Sequence, residues 1–116
     1  MGDQFPRFEL EFVSADVTIT SAGLVTLAHG LNQTPKLIQW YIRNTTTEFN
    51  YSVGDISYLA NMNAAAEQSL AITPDATNIS IRFTSDANVF QIPNKTTGVQ
   101  SNLTNANWVL VVLAWS

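Results

Sequence analysis

The last strand-like run of the chain, WVLVVLAW at positions 108–115, is apolar at every position. It is too short for a membrane helix, which needs about 20 apolar residues, and it has the usual length of a β-strand. Successive side chains of a strand point to opposite faces of a sheet, so this run is apolar on both faces. We expect an opposing sheet to cover one face. The other face carries Val109, Val111, Leu113 and Trp115, and we expect another copy of the chain to cover it, with a loop or helical segment of the same chain as the alternative.

Most of the remaining chain alternates between apolar and polar residues, which is typical of half-buried strands. In the run LIQWYIR at positions 37–43, the apolar residues alternate with Gln39, Tyr41 and Arg43. Gly30 and Pro35 supply turn chemistry before this run. The runs at 17–20 and 24–27 flank a Ser-Ala-Gly turn, and this spacing predicts a hairpin. Together these short strands predict an all-β fold, an antiparallel β-sandwich or a jelly-roll-like barrel.

The chain has the length of one domain. We assign residues 1–12 to an N-terminal arm and first strand with a docking or assembly role, and residues 13–116 to a single β-sandwich domain. Phe5 and Phe8 in the arm need a surface to cover them, either on their own domain or on a neighbour. The only helical composition lies around residues 58–69, which predicts either one short helix near 60–68 or a loop of small residues.

Composition and charge exclude several functions. Charged residues make up 12% of the chain and its net charge is −4, with only five scattered lysines and arginines. No basic stripe is present to bind a phosphate backbone, so we predict no nucleic-acid partner. The chain has no cysteine, and its N-terminus lacks the charged and apolar segments of a secretory signal. We therefore expect synthesis in the cytoplasm and no membrane partner.

The chain offers few residues for catalysis or metal binding. Its single histidine, His29, is followed by turn residues, and no histidine and carboxylate spacing resembles a metal site. No pair among the carboxylates is singled out for glycoside hydrolysis; the candidates are Glu48, Asp55, Asp75 and Asp86. We predict no enzyme activity, no cofactor and no metal.

Aspartate and asparagine precede three of the expected strands, in the segments PDATN, SDAN and TNAN. Such side chains bond nearby backbone amides in turns. Ca²⁺ ligation by Asp75, Asn78, Asp86 and Asn88 is the alternative.

Aromatic and polar side chains concentrate in the middle of the chain. The candidate binding residues are Tyr41, Arg43, Tyr51, Asp55 and Tyr58. Aromatic planes beside amides and carboxylates suit sugar rings, whose apolar faces stack while their hydroxyls accept and donate hydrogen bonds. The alternative is that these tyrosines cap the core or lie at a subunit interface.

The segments LAHGLNQTPKLIQWYIRN, FNYSVGD, PDATNISIRF, SDANVFQIPNKTTG and LTNANWVLVVLAW together resemble a β-sandwich module of tailed-phage fibre and spike proteins. The resemblance covers about Leu27 to Trp115. The run TPKLIQWYI is also similar, more loosely, to the first long strand of H-type lectins, which are trimeric sandwiches that bind sugar at subunit boundaries.

The resemblance implies a virion structural protein, often trimeric, with other virion proteins and a host-surface glycan as partners. Only about two dozen residues precede the module, so there is little room for a fibre shaft. We therefore expect a small fibre or spike subunit, displayed on the head or tail and docked through residues 1–12, that takes part in host attachment. A capsid decoration protein that stabilises the shell and a soluble sugar-binding lectin are the alternatives.

Overall fold

The structure, a computed structural model, describes residues 10–59 and 69–116. In these residues it has ten strands and one turn of 3₁₀ helix. They are β1 Glu11–Val13, β2 Val17–Thr18, β3 Leu24–Ala28, β4 Leu37–Asn44, β5 Ile56–Ser57, β6 Leu70–Pro74, β7 Asn78–Phe83, β8 Gln91–Pro93, β9 Gln100–Asn102, the 3₁₀ turn Asn105–Asn107 and β10 Trp108–Trp115. The predicted short helix near 60–68 lies outside the described residues, as do Phe5 and Phe8.

The strands form two packed antiparallel sheets, which confirms the all-β sandwich. The five-stranded sheet has the order β1-β10-β4-β5, and β2 also pairs with β10. The three-stranded sheet has the order β3-β7-β6, and β8 and β9 form a separate hairpin. No helix in the described part of the chain is long and apolar enough to cross a membrane.

Strand β10 is the centre of the larger sheet. All eight of its residues pair with β4, from Trp108 opposite Asn44 to Trp115 opposite Leu37. Its edge on the other side pairs with β1 and β2, and Ser14 between them exchanges hydrogen bonds with the backbone of Val112. The apolar run at positions 108–115, which most constrains the fold, is therefore an internal strand of this sheet.

The core lies between the two sheets. Strand β7 contributes Ile79, Ile81 and Phe83, and β10 contributes Leu110 and Val112, all buried. Alternation sets this arrangement, because each of these side chains occupies every second position of its strand. The predicted division of the strands into an inward and an outward set is confirmed for both sheets.

The β8–β9 hairpin and the residues around it close one end of the core. Phe90, Ile92 and Leu103 are buried there. Trp40 of β4 stacks on Phe90 with 5.4 Å between ring centroids. The hairpin thus belongs to the same core as the two sheets.

The connection from β3 to β4 carries the chain between the sheets. Gly30 and Asn32 both have positive φ, at 66° and 63°, as tight turns require. His29 is buried; its Nε2 lies 2.8 Å from the Asp75 carbonyl oxygen, and its Nδ1 accepts a hydrogen bond from the Leu31 amide. His29 therefore links this connection to the turn between β6 and β7.

Two of the three predicted turns form as expected. Asp75 Oδ1 accepts hydrogen bonds from the Thr77 and Asn78 amides, and Asp86 Oδ1 accepts one from the Asn88 amide. In the third segment, Asn105 Oδ1 instead accepts from the amide of Val89, sixteen residues away. The side chain there joins two segments of the chain.

The predicted hairpin of the second and third strands is wrong. Strand β2 pairs with β10 in one sheet, whereas β3 pairs with β7 in the other. The Ser21–Gly23 turn forms, but its backbone bonds to the end of β7 in the three-stranded sheet. The Ala22 amide donates to the Thr84 carbonyl, and the Gly23 carbonyl accepts from the Phe83 amide. A turn reverses the chain without deciding which strand becomes the partner, so here it crosses between the sheets.

Candidate functional site

The outward side of the five-stranded sheet is mainly apolar and is called the apolar face below. The register of β1, β10, β4 and β5 brings its side chains together. Its apolar members are Val13, Leu37, Tyr41, Ile56, Val109, Val111, Leu113 and Trp115, and the polar residues among them are Glu11, Thr18, Gln39 and Arg43. The four β10 residues that the sequence predicted for an assembly interface therefore lie on one face.

The residue at the centre of this face is buried by its neighbours, whereas residues around it are exposed to solvent. Val111 is only 3% exposed, whereas Val13, Leu37 and Ile56 around it are 51%, 46% and 49% exposed. Exposed apolar residues that lie singly need no explanation, but a group of them on one sheet face is a candidate interaction surface.

The apolar face carries one close ion pair. Arg43 of β4 donates two hydrogen bonds to Asp16, at 2.9 and 2.6 Å. These hydrogen bonds hold the pKa of Asp16 below its ordinary value and raise the pKa of Arg43. Arg43, a candidate binding residue, is therefore already engaged by a carboxylate of its own chain.

An aromatic pair lies at the β4–β5 border of the same face. The rings of Tyr41 and Tyr58 meet edge to face with 5.6 Å between centroids. Tyr58 is 61% exposed, and it borders a pocket of about 340 Å³ that Ile38, Gln39, Trp40 and Leu59 also line. This Tyr58 pocket combines an exposed aromatic plane with one amide side chain.

Tyr51 lies elsewhere, at the end of the sandwich near the β8–β9 hairpin. Its ring meets Trp108 edge to face at 5.3 Å, and its hydroxyl donates to the Pro93 carbonyl at 2.7 Å. Burial raises the pKa of the Tyr51 hydroxyl. Tyr51 covers one end of the core.

Asp55 lies on the same end as Tyr51. It accepts hydrogen bonds from Lys95 Nζ at 2.7 Å and from the Ser52 amide at 2.9 Å, and these bonds lower its pKa. The structure therefore divides the five candidate residues into two groups: Tyr41, Arg43 and Tyr58 on the apolar face, and Tyr51 and Asp55 beside the hairpin.

Glu48 has a structural role that the sequence did not predict. Its carboxylate accepts hydrogen bonds from the Thr104 amide at 2.8 Å, the Asn107 side chain at 3.0 Å and the Trp108 indole at 3.1 Å. Partial burial raises the pKa of Glu48, but these hydrogen bonds outweigh it and the pKa lies below its ordinary value. A buried tryptophan needs an acceptor for its N–H, yet no local pattern indicates that a residue 60 positions away supplies it.

A larger cleft, of about 440 Å³, opens between β2 and β3. Its walls are mostly apolar and include Val17, Leu24 and Val25. Asp16 is the carboxylate in its lining, and it is paired with Arg43. Size alone favours this cleft, but the Tyr58 pocket has the aromatic plane and the side-chain amide that can orient a polar ligand.

The carboxylates named from the sequence are all engaged in hydrogen bonds within the chain. Asp75 and Asp86 hold turns, while Glu48 and Asp55 lie near β8 and the 3₁₀ turn. Within residues 10–59 and 69–116, no three histidine or carboxylate side chains are grouped to hold a metal ion.

No protein-family model matches the chain, and no curated protein matches it significantly. These comparisons assign the chain to no family.

Proposed function

We propose that this chain is a phage virion structural protein, a small fibre or spike subunit on the head or tail that attaches the particle to carbohydrate on the host surface. The observation that carries the attachment role is the Tyr58 pocket on the sandwich. The resemblance of most of the chain to phage fibre and spike modules supports the virion location.

The chemistry of the Tyr58 pocket suits an uncharged sugar ring. The apolar face of a pyranose stacks on an aromatic plane, and Tyr58 offers such a plane at the pocket mouth. Gln39 can donate to and accept from sugar hydroxyls. The paired Arg43 and the net charge of −4 both disfavour an anionic sugar.

The test is binding of the purified full chain to a glycan array and to host cells, compared with Tyr58→Ala. Because Tyr58 is mostly exposed, the variant should stay folded while sugar binding falls about tenfold or more. Val53→Ala is the matched control, since Val53 is a similarly exposed apolar residue away from the pocket.

Equal glycan binding by Tyr58→Ala and the wild type would disprove the sugar site. A chain that joins particles but binds neither glycans nor cells would instead be a capsid decoration protein. Tyr51→Ala tests which of the two groups of candidate residues binds sugar. This variant should lower the stability of the fold without a specific loss of sugar binding, because Tyr51 packs on Trp108.

Docking of the subunit on the particle is assigned to residues 1–12. Two hydrogen bonds connect Leu10 to Ser116: the Leu10 amide donates to Ser116 Oγ, and the Leu10 carbonyl accepts from the Ser116 amide. Removal of residues 1–7 should therefore leave the sandwich folded and abolish incorporation into particles. Normal incorporation of the truncated chain would show that docking lies elsewhere.

A further inference from the structure

We infer that the apolar face is a self-association surface, on which the corresponding faces of other copies of this chain pack about a common axis. This inference goes beyond the proposed function, because it requires no sugar and no particle. The Tyr58 pocket lies at the β4–β5 border of the face and not at its centre around Val111. It starts from the two-sided apolar character of β10: Leu110 and Val112 are buried by the opposing sheet, whereas Leu113 and its neighbours face outward.

The charges on this face favour an identical partner. Like charges on identical surfaces repel when the surfaces meet, and each chain has a net charge of −4. On the apolar face, however, Asp16 and Arg43 neutralise each other at 2.6 Å within one chain. Glu11, a further carboxylate on this face, lies on β1 at the edge of the sheet. Two copies can therefore bring the centres of these faces together without opposing net charges.

The size of the face also fits a protein partner. The five strands of this sheet hold 23 residues, which at ordinary spacings give a projected area of about 370 Å². The accessible area of a corrugated face exceeds its projection, and a standard protein interface buries about 800 Å² per partner. The face is thus the size of the central part of a subunit contact, and it is too large for a small ligand to cover.

The apolar face does not have the chemistry of a membrane-binding surface. Peripheral proteins combine an exposed apolar surface with lysines and arginines that meet anionic lipid head groups. The cation on this face, Arg43, is paired with Asp16. A second copy is therefore the occupant that the face fits best.

The test is the mass of the purified full chain in solution, measured by light scattering and sedimentation over a range of concentrations. We expect an oligomer, with a mass that is a whole multiple of the 12.7 kDa chain mass. In the double variant Val13→Lys/Leu37→Lys, two exposed residues of the face become cations, and the dissociation constant should rise at least about 100-fold. Leu24→Lys is the matched control, because Leu24 is 56% exposed on the other sheet.

Circular dichroism and the urea midpoint would show whether each variant remains folded. A folded, dissociated double variant beside an associated control supports the inference. A wild-type chain that is monomeric at all concentrations overturns it, and so does equal dissociation of the control. If the wild type is monomeric and the double variant fails to join particles, the face binds another virion protein and self-association is wrong.

The outcomes for association and for sugar binding can be told apart. An oligomer that binds no glycan leaves this inference standing and removes the attachment proposal. A monomer that binds glycan through Tyr58 supports the attachment proposal and overturns the inference of self-association.

Discussion

The two sheets of the sandwich differ on their outward sides although their inward sides are alike. Both contribute buried aliphatic residues to one core. The outward side of the three-stranded sheet carries Leu24, Thr26, Ala28, Ala71, Thr73, Asn78, Ser80 and Arg82. This side is mainly small or polar, and it is called the polar face below, whereas the apolar face has valine, leucine and tryptophan along β10.

The comparison separates two requirements that a strand can meet. Inward residues must fill the core of a single chain, and both sheets do this in the same way. Outward residues need to be apolar only where something other than water covers them. The polar face is therefore suited to solvent, and the apolar face is the one that we propose another copy of the chain covers.

The largest expected effect tests the similarity of the inward sides. Leu110→Ala and Ile81→Ala each remove a fully buried side chain, one from each sheet, and should lower the free energy of unfolding by about 2–5 kcal/mol. Urea unfolding at fixed protein concentration measures both values. A loss below about 1 kcal/mol in only one variant would mean that the two sheets do not share one core.

A matched pair of leucines tests the difference between the outward sides. Leu113→Ser on the apolar face should lower the free energy of unfolding by about 1–2 kcal/mol, while Leu24→Ser on the polar face should change it by less than about 0.5 kcal/mol. Thermal unfolding of the wild type should also shift upward with protein concentration, because association stabilises the folded chain. Equal effects of the two serine substitutions would remove the distinction between the faces.

Glu48 offers a smaller test at the end of the five-stranded sheet where β10 begins. Glu48→Gln should cost about 1 kcal/mol at neutral pH, since the amide cannot accept all three hydrogen bonds. The pKa of Glu48 is lowered in the folded state, so its contribution is present above its unfolded pKa and is lost as pH falls through the folded pKa. Urea unfolding from pH 7 to pH 3 should show the difference between variant and wild type shrinking in acid. A constant difference would contradict this account.

The smallest effect is expected from the exposed ion pair on the apolar face. Asp16→Asn leaves Arg43 as an unpaired cation, which should weaken association less than the double lysine variant does. Because the pKa of Asp16 is lowered by its pairing with Arg43, acid weakens the wild-type association only as pH falls through that folded pKa. Sedimentation at several pH values and salt concentrations measures both effects. Stronger association of the variant would mean that the pair opposes contact between copies.

Local patterns in the sequence were enough to predict the fold class and much of the turn chemistry. The alternation in 37–43 predicted which side of β4 is buried, and Asp75 and Asp86 hold turns as expected. The Ser21–Gly23 turn did not yield a hairpin, because strand pairing depends on partners that are distant in the chain. The sequence grouped the candidate binding residues because they are close together in the chain. In the structure, Tyr51 and Tyr58 lie in different places on the sandwich.

The sequence by itself determined that β10 is a strand with two apolar sides, because alternation and side-chain type are local properties. Only the tertiary structure decided which residues join it. The register of β1, β4 and β5 brings Val13, Leu37 and Ile56 beside β10, and the fold pairs Asp16 with Arg43 and Glu48 with Trp108. These contacts join residues far apart in the chain, and packing of the whole core selects them from many pairings that local chemistry would equally allow.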